Sequence, residues 1–210
     1  MVYIYYSYLS EEEHRKLLEI DLPKFPKDYQ EKIKRYRRWQ DAQLSLLGRI
    51  LLFKGIEQIY KHNPLDKVIK HTKFSKPYFE DNFIHFNISH SGEIVVCALS
   101  DESEIGIDIE IVTDIEIEDF KSQMSENEFG KIVISSNSTR SFFDYWTQKE
   151  AVIKAQGEGL SIPLSSFEVS DYRTMINGEK FFLKEIKIND KYKCYVSQKM
   201  SISDVTIKNI

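Results

Sequence analysis

At 210 residues, 41% hydrophobic and 13% aromatic, the chain has enough apolar material for a packed core, and its 30% charged residues are spread too evenly for global disorder. A net charge of −4 and a pI near 5.8 argue against a protein built to wrap nucleic acid, and no apolar run approaches a membrane span. Cys97 and Cys194 form no C-x-x-C pair, and the N-terminal apolar stretch is short with no basic region before it, so a reducing, cytoplasmic location is expected.

The Tyr-, Ile- and Val-rich segment Val2–Leu9 predicts a first strand. A local cationic stretch follows, with Lys24, Lys27, Lys32, Lys34, Arg35, Arg37 and Arg38 against Asp28 and Glu31. On an acidic protein it suits a small anionic ligand, and a solvated helix face accounts for it equally. Apolar residues Ile33, Tyr36, Leu44, Leu47, Ile50, Leu51 and Ile56 predict one long helix over residues 29–61, stopped by Asn63-Pro64. A polar connector over residues 70–77 leads to a hairpin with strands at 83–88 and 94–99. Its expected turn, Ser89-His90-Ser91-Gly92, could gather N–H groups, hydroxyls and an imidazole on a phosphate; alone, it is explained better as a plain hairpin turn. Residues 100–104 read as a hinge, dividing an N-terminal half (1–102) from a C-terminal half (103–210).

The second half opens with a strand, Ile105–Ile111. Alternation sends the isoleucines to one face and Gly106, Asp108 and Glu110 to the other. Two carboxylates at i and i+2 repel unless water or a cation relieves them, and Mg²⁺ takes such hard oxygen ligands. An ordinary half-buried strand with a wet acidic face explains the pattern better when it is judged by itself. Acidic, helix-compatible sequence runs over 114–133, followed by a loop at 135–139. A strong helix pattern covers 140–156 and is stopped by Gly157 and Gly159. Glu150 lies in its aromatic stripe with Phe143 and Trp146; it could pair with Lys154 at i+4 or share a metal with Asp108 and Glu110. Strands are expected at 166–169, 180–188, 192–198 and 205–208. The fold class is α+β: two similar lobes, each a small, mostly antiparallel sheet packed on a long helix.

Gly106-Ile107-Asp108-Ile109-Glu110, followed by Trp146-Thr147-Gln148-Lys149-Glu150-Ala151-Val152-Ile153-Lys154 and Gly157-Glu158-Gly159-Leu160, resembles the signature of the 4′-phosphopantetheinyl transferase superfamily. Phe86-Asn87-Ile88-Ser89-His90-Ser91-Gly92 resembles the family's upstream motif, with weaker similarity through 32–51 and 75–77. In length the chain is similar to the larger, two-lobed, single-chain type that activates peptide synthetases such as the surfactin enzyme.

The resemblance implies transfer of phosphopantetheine from coenzyme A to a serine of an apo acyl or peptidyl carrier protein, with Mg²⁺ (Mn²⁺ would suit the same ligands) and release of 3′,5′-ADP. It implies Asp108, Glu110 and Glu150 as metal ligands and Lys154 on the coenzyme A phosphates. Ser89 and His90 match positions at the 3′-phosphate end; Lys32, Ser45 and Lys76 match further coenzyme A contacts. Glu150 is the expected general base, with Glu128 its rival. Ser75 and Tyr29 depart from the family pattern. The N-terminal half is expected to bind coenzyme A. The C-terminal half is expected to carry the metal site and to dock the carrier through residues 112–129, using Ile115, Ile117, Phe120 and Phe129. A monomer is expected, without nucleic-acid or membrane partners. The alternative is a non-catalytic coenzyme A or nucleotide-binding module on the same scaffold.

Overall fold

The tyrosine-rich start forms β1 (Val2–Tyr8) in the computed structural model, which describes residues 1–61 and 64–210 and, within these, excludes the side chains of Asp66 and Leu160. β1 pairs antiparallel with β5 (Ile94–Ser100), and β5 pairs antiparallel with β4 (His85–Ser91). The last strand, β10 (Val205–Asn209), pairs in parallel with the free side of β1, giving the order β10-β1-β5-β4. C-terminal residues therefore complete the sheet of the N-terminal half.

Every residue of β5 is buried, which explains its unbroken apolar run. Val95, Cys97 and Leu99 face the first core, which contains the long helix α3 (Trp39–Tyr60). Ile94, Val96 and Ala98 face a second core shared with Ile105, Ile107 and Ile109.

The single helix expected over 29–61 is two: α2 (Lys27–Lys34) and α3, broken where Arg38 adopts an extended conformation (φ −99°, ψ 132°). Clustered cations suit the negative end of α2 and oppose continuation into the positive start of another helix. α3 ends where expected, at Tyr60, with Lys61 left-handed at φ 52° as its cap; Asn63 of the expected stop lies outside the described residues. A short helix not anticipated from the sequence, α1 (Glu11–Lys16), is capped by Ser10, whose Oγ accepts from the Glu13 amide. The connector at 70–77 contains a small hairpin, β2 (Ile69–His71) with β3 (Pro77–Phe79).

The second sheet is antiparallel, in the order β6 (Ile105–Ile111), β9 (Tyr192–Gln198), β8 (Glu179–Glu185), β7 (Arg173–Ile176). The expected strand at 166–169 is instead a 3₁₀ turn and extended connection. β7 is joined to β8 by Asn177-Gly178, both left-handed (φ 52° and 82°), as a two-residue hairpin turn requires. The acidic stretch at 114–133 contains a 3₁₀ turn (Ile117–Gln123) and α4 (Glu126–Val133). The architecture is thus α+β, with two mostly antiparallel sheets each carrying a long helix; α5 (Ser138–Gln156) serves the second.

Gly106 sets how closely α5 lies on β6. A Cβ there would sit 2.1 Å from the Ala151 carbonyl oxygen and 2.2 Å from the Ala155 amide nitrogen. The backbones meet directly, which brings Glu150 and Lys154 to Asp108. Gly106→Ala must push the helix off the strand, and overpacking of this kind costs about 1–3 kcal/mol. We expect a lower urea midpoint; a variant with the wild-type midpoint would contradict this.

Candidate active site at the seam between the sheets

β4 and β6 are edge strands of the two sheets, and their side chains bridge the gap. The polar residues of β4 alternate with Phe86 and Ile88, which turn into the first core. Each polar residue meets β6 or its entry. His85 Nδ1 lies 3.2 Å from Glu104 Oε1, Asn87 Oδ1 accepts from the Ile107 amide at 2.9 Å, Ser89 Oγ donates to Asp108 Oδ1 at 2.9 Å, and Ser91 Oγ donates to Glu110 Oε2 at 2.7 Å. Ser89-His90-Ser91 therefore belongs to the strand; the turn is made by Gly92 (φ 54°) and Glu93. The expected nest of turn amides is replaced by hydroxyls aimed at carboxylates.

α5 delivers the other half of the site. Lys154 Nζ donates to Asp108 Oδ1 (2.5 Å) and to Ser89 Oγ (2.9 Å). Asp108 is 2% exposed, and its Oδ2 is buried without a hydrogen-bond partner. Glu150 lines a cavity of about 230 Å³ with Lys154, Lys76, Asn87 and Gly157. Burial raises the proton affinity of Asp108, Glu110 and Glu150, and repulsion from Asp108 adds to the effect at the two glutamates. Three carboxylates thus lie in a partly dry space about the Lys154 ammonium. Among the described residues, no three acidic, His or Cys side chains converge tightly enough to form a ready-made cation cage.

The other expected site residues are dispersed. His90 points away from Ser89, into a second cavity beside Trp39 and Asp41, and desolvation followed by the Lys154 charge lowers its pKa. Lys76 packs beside Gly157 with its ammonium on Glu104 Oε2 (2.5 Å) and the Ala155 carbonyl (3.3 Å). Lys32, exposed on α2, lines a third cavity. Ser45, on α3, is half-buried, and its carbonyl accepts from the Tyr29 hydroxyl at 2.7 Å.

Glu128 is engaged on both carboxylate oxygens by partners within the fold. It is fully buried at the start of α4, where Ser125 Oγ and the Glu128 carboxylate form a reciprocal capping box. Its Oε2 accepts from the Ser125 amide and pairs with Lys149 Nζ at 2.8 Å, and its Oε1 accepts from the Val169 amide at 3.0 Å. Lys149 also donates to the Leu164 and Phe167 carbonyls, so this motif lysine ties α5 to neighbouring chain. Of the apolar residues expected to dock a carrier, three are half-buried and one is buried. Ile115, Ile117 and Phe120 pack against a core with Phe142, and Phe129 is 8% exposed.

Sequence reasoning missed Glu104, whose signal was its place in the alternating register of β6. Its pKa falls to about 2, held down first by the His85 hydrogen bond and then, against desolvation, by Lys76. A depressed acid stabilises the fold fully above its unfolded value, near 4.5, and the contribution fades as pH falls toward about 2. Glu104→Gln should melt below wild type at pH 7, with the gap closing as pH falls through that window. A gap independent of pH would rule out the ionic bridge.

Comparison of the sequence with known proteins points to one superfamily. Residues 104–201 match the 4′-phosphopantetheinyl transferase superfamily model, and residues 12–102 match the 4′-phosphopantetheinyl transferase N-terminal model. The chain is 36% identical to the 4′-phosphopantetheinyl transferase gsp of Aneurinibacillus migulanus (80% of this chain, 73% of the relative). It is 35% identical to the transferase Sfp of Bacillus subtilis strain 168 (77% and 71%) and 32% identical to ffp of Bacillus subtilis (90% and 86%). No helix among the described residues is long and apolar enough to cross a membrane.

Proposed function

The chain belongs to the 4′-phosphopantetheinyl transferase superfamily and is an enzyme of that type, and on this footing we propose that it moves the phosphopantetheine arm of coenzyme A onto a serine hydroxyl of an apo acyl or peptidyl carrier protein. The observation that carries the reading is the buried seam, where Asp108, Glu110 and Glu150 gather about the ammonium of Lys154 and Asp108 Oδ2 has no hydrogen-bond partner among the described residues. Uncompensated buried carboxylate oxygens with hard-ligand chemistry fit a divalent cation such as Mg²⁺ or Mn²⁺. Bound by Asp108, Glu110 and Glu150, it would neutralise charge on the diphosphate of coenzyme A.

The chain's own residues supply positioning and proton transfer. Lys154 places a fixed positive charge at the diphosphate end of the cavity, released from Asp108 as the ligand enters. Among the described residues Glu150 receives no side-chain hydrogen bond, and burial raises its proton affinity, which suits it to take the proton of the carrier serine. The serine oxygen bonds to the β-phosphorus, the bond to the bridging oxygen breaks, and 3′,5′-ADP leaves with the electron pair. In this proposal the N-terminal half (1–102) binds most of coenzyme A, and residues 103–210 contribute the carboxylates and meet the carrier. A monomer working in the cytoplasm is part of the same proposal, with the carrier an acyl or a peptidyl one.

Release of 3′,5′-ADP from coenzyme A is the first test. It should require apo carrier, stop with EDTA and return when Mg²⁺ is restored. Release that is indifferent to EDTA would remove the cation from the proposal. No release with any apo carrier, despite measurable coenzyme A binding, would favour a non-catalytic binding module.

A further inference from the structure

Asp108 and Glu110 are held at the seam by different means. Asp108 Oδ1 accepts from Ser89 Oγ and from the Lys154 ammonium. Glu110 forms no ion pair among the described residues, and its carboxylate makes one hydrogen bond there, from Ser91 Oγ to Oε2 at 2.7 Å. The position of that hydroxyl is fixed from the backbone. The Ile111 amide, near the end of an edge strand, donates to Ser91 Oγ at 3.1 Å. Beyond Ser91 the chain turns through Gly92 and Glu93, and the Glu93 amide donates to the Tyr192 hydroxyl of β9 at 3.1 Å. A Cβ at Gly92 would lie 2.6 Å from that same hydroxyl oxygen, so the turn sits directly on it. Ser91 is thus pinned to the second sheet through its own side chain and through the turn that follows.

A hydroxyl has one proton. With the Ile111 N–H on the acceptor side of Ser91 Oγ, that proton goes to Glu110, which when ionised can only accept. The bond occupies Oε2 and leaves Oε1 without a hydrogen bond among the described residues, just as Asp108 Oδ2 is left two positions earlier. Being neutral, the hydroxyl holds the carboxylate without cancelling its charge. A glutamate side chain is long and rotatable, and an anchor made before a cation arrives removes part of the ordering cost from binding.

We propose that Ser91 is a positioning residue for the divalent cation: it fixes the Glu110 carboxylate with one oxygen free for the ion, and so sets the affinity of the seam for Mg²⁺ without touching substrate. This role rests on the cation reading above. Ser89 is not equivalent, because its hydroxyl also accepts from Lys154, whose ammonium is expected to move when the ligand enters.

Mn²⁺ titration of the protein saturated with coenzyme A, followed by the electron paramagnetic resonance of the free ion against a coenzyme A blank, measures this without turnover. Ser91→Ala should weaken Mn²⁺ binding at least about tenfold, the lower end of the range when a metal ligand loses its hydrogen-bond partner. Ser91→Thr keeps the hydroxyl and should hold the affinity within about threefold of wild type, well inside that loss. Coenzyme A affinity in EDTA should be the same in all three proteins, because Ser91 acts only through Glu110. Ser91→Cys, a much weaker donor, replaces the alanine variant if that one fails to fold, with the same expected direction. Unchanged Mn²⁺ affinity in a folded alanine or cysteine variant overturns the proposal and leaves the cation reading standing. A matching loss of coenzyme A affinity in EDTA, or a threonine variant as weak as alanine, also overturns it, since either marks a merely structural role. A wild-type protein that takes up no Mn²⁺ beyond the blank overturns the cation reading itself, and the role of Ser91 with it.

Discussion

Glu150→Gln is expected to lower kcat/KM for carrier modification by at least about 10³-fold, the scale seen when a group that stabilises transition-state charge is removed. The substitution removes the unpartnered carboxylate beside Lys154 and Asp108 and, with it, the proposed base. It should also raise the melting temperature. Burial and the repulsion from Asp108 lift the Glu150 pKa, so the ionised form is disfavoured in the folded state and weakens folding at neutral pH. A neutral side chain of the same shape relieves that cost. Wild-type stability should therefore rise as pH falls through the raised pKa, and the advantage of the variant should shrink over the same range. Loss of activity with gain of stability marks a site built for function. A variant that loses both, or retains its rate, would contradict the assignment.

The second large effect is on stability. Glu128 and Lys149 are both fully buried, and Lys149 Nζ lies 2.8 Å from Glu128 Oε2. Removing one member leaves the other charge uncompensated among main-chain carbonyls and amides, which costs about 3–5 kcal/mol. Lys149→Met should lower the unfolding free energy measured by urea titration by that much. Glu128→Gln should lose nearly as much, because Oε1 and Oε2 together serve three donors and the amide group offers one acceptor oxygen. The double variant should recover much of the loss, giving a coupling energy of about 2–3 kcal/mol. At a temperature where Glu128→Gln stays folded, its turnover should remain close to wild type. A thousandfold drop in that folded protein would return Glu128 to the chemistry.

The elements that position this site were legible where the pattern was strong and local. The alternation in Ile105–Ile111 put Asp108 and Glu110 on one face, and that is where they lie. Gly157 ends α5 with φ 92°, as its place after a periodic run suggested. Local signals were also overlooked. Asn177-Gly178 announces the β7–β8 hairpin, and Ser125-Glu126-Asn127-Glu128 has the spacing of a capping box, which already committed Glu128 to its own helix. Reading the polar run Ser89–Gly92 as a turn hid the period of two that extends from His85 to Ser91. What no local pattern could reveal depends on long-range packing: the meeting of β4 with β6 and the return of β10 to β1. The motif lysine Lys149 and its neighbour Glu150 differ in role because successive helix positions face different directions, one inward to Glu128 and one to the cavity.

The central claim is that the seam carboxylates and Lys154 carry out phosphopantetheine transfer. Intact-mass spectrometry of an apo peptidyl carrier protein, incubated with coenzyme A, Mg²⁺ and the enzyme, tests it most directly. The account predicts a gain of one phosphopantetheine with wild type and with folded Glu128→Gln, and none with Glu150→Gln. An equal gain with Glu150→Gln would contradict it.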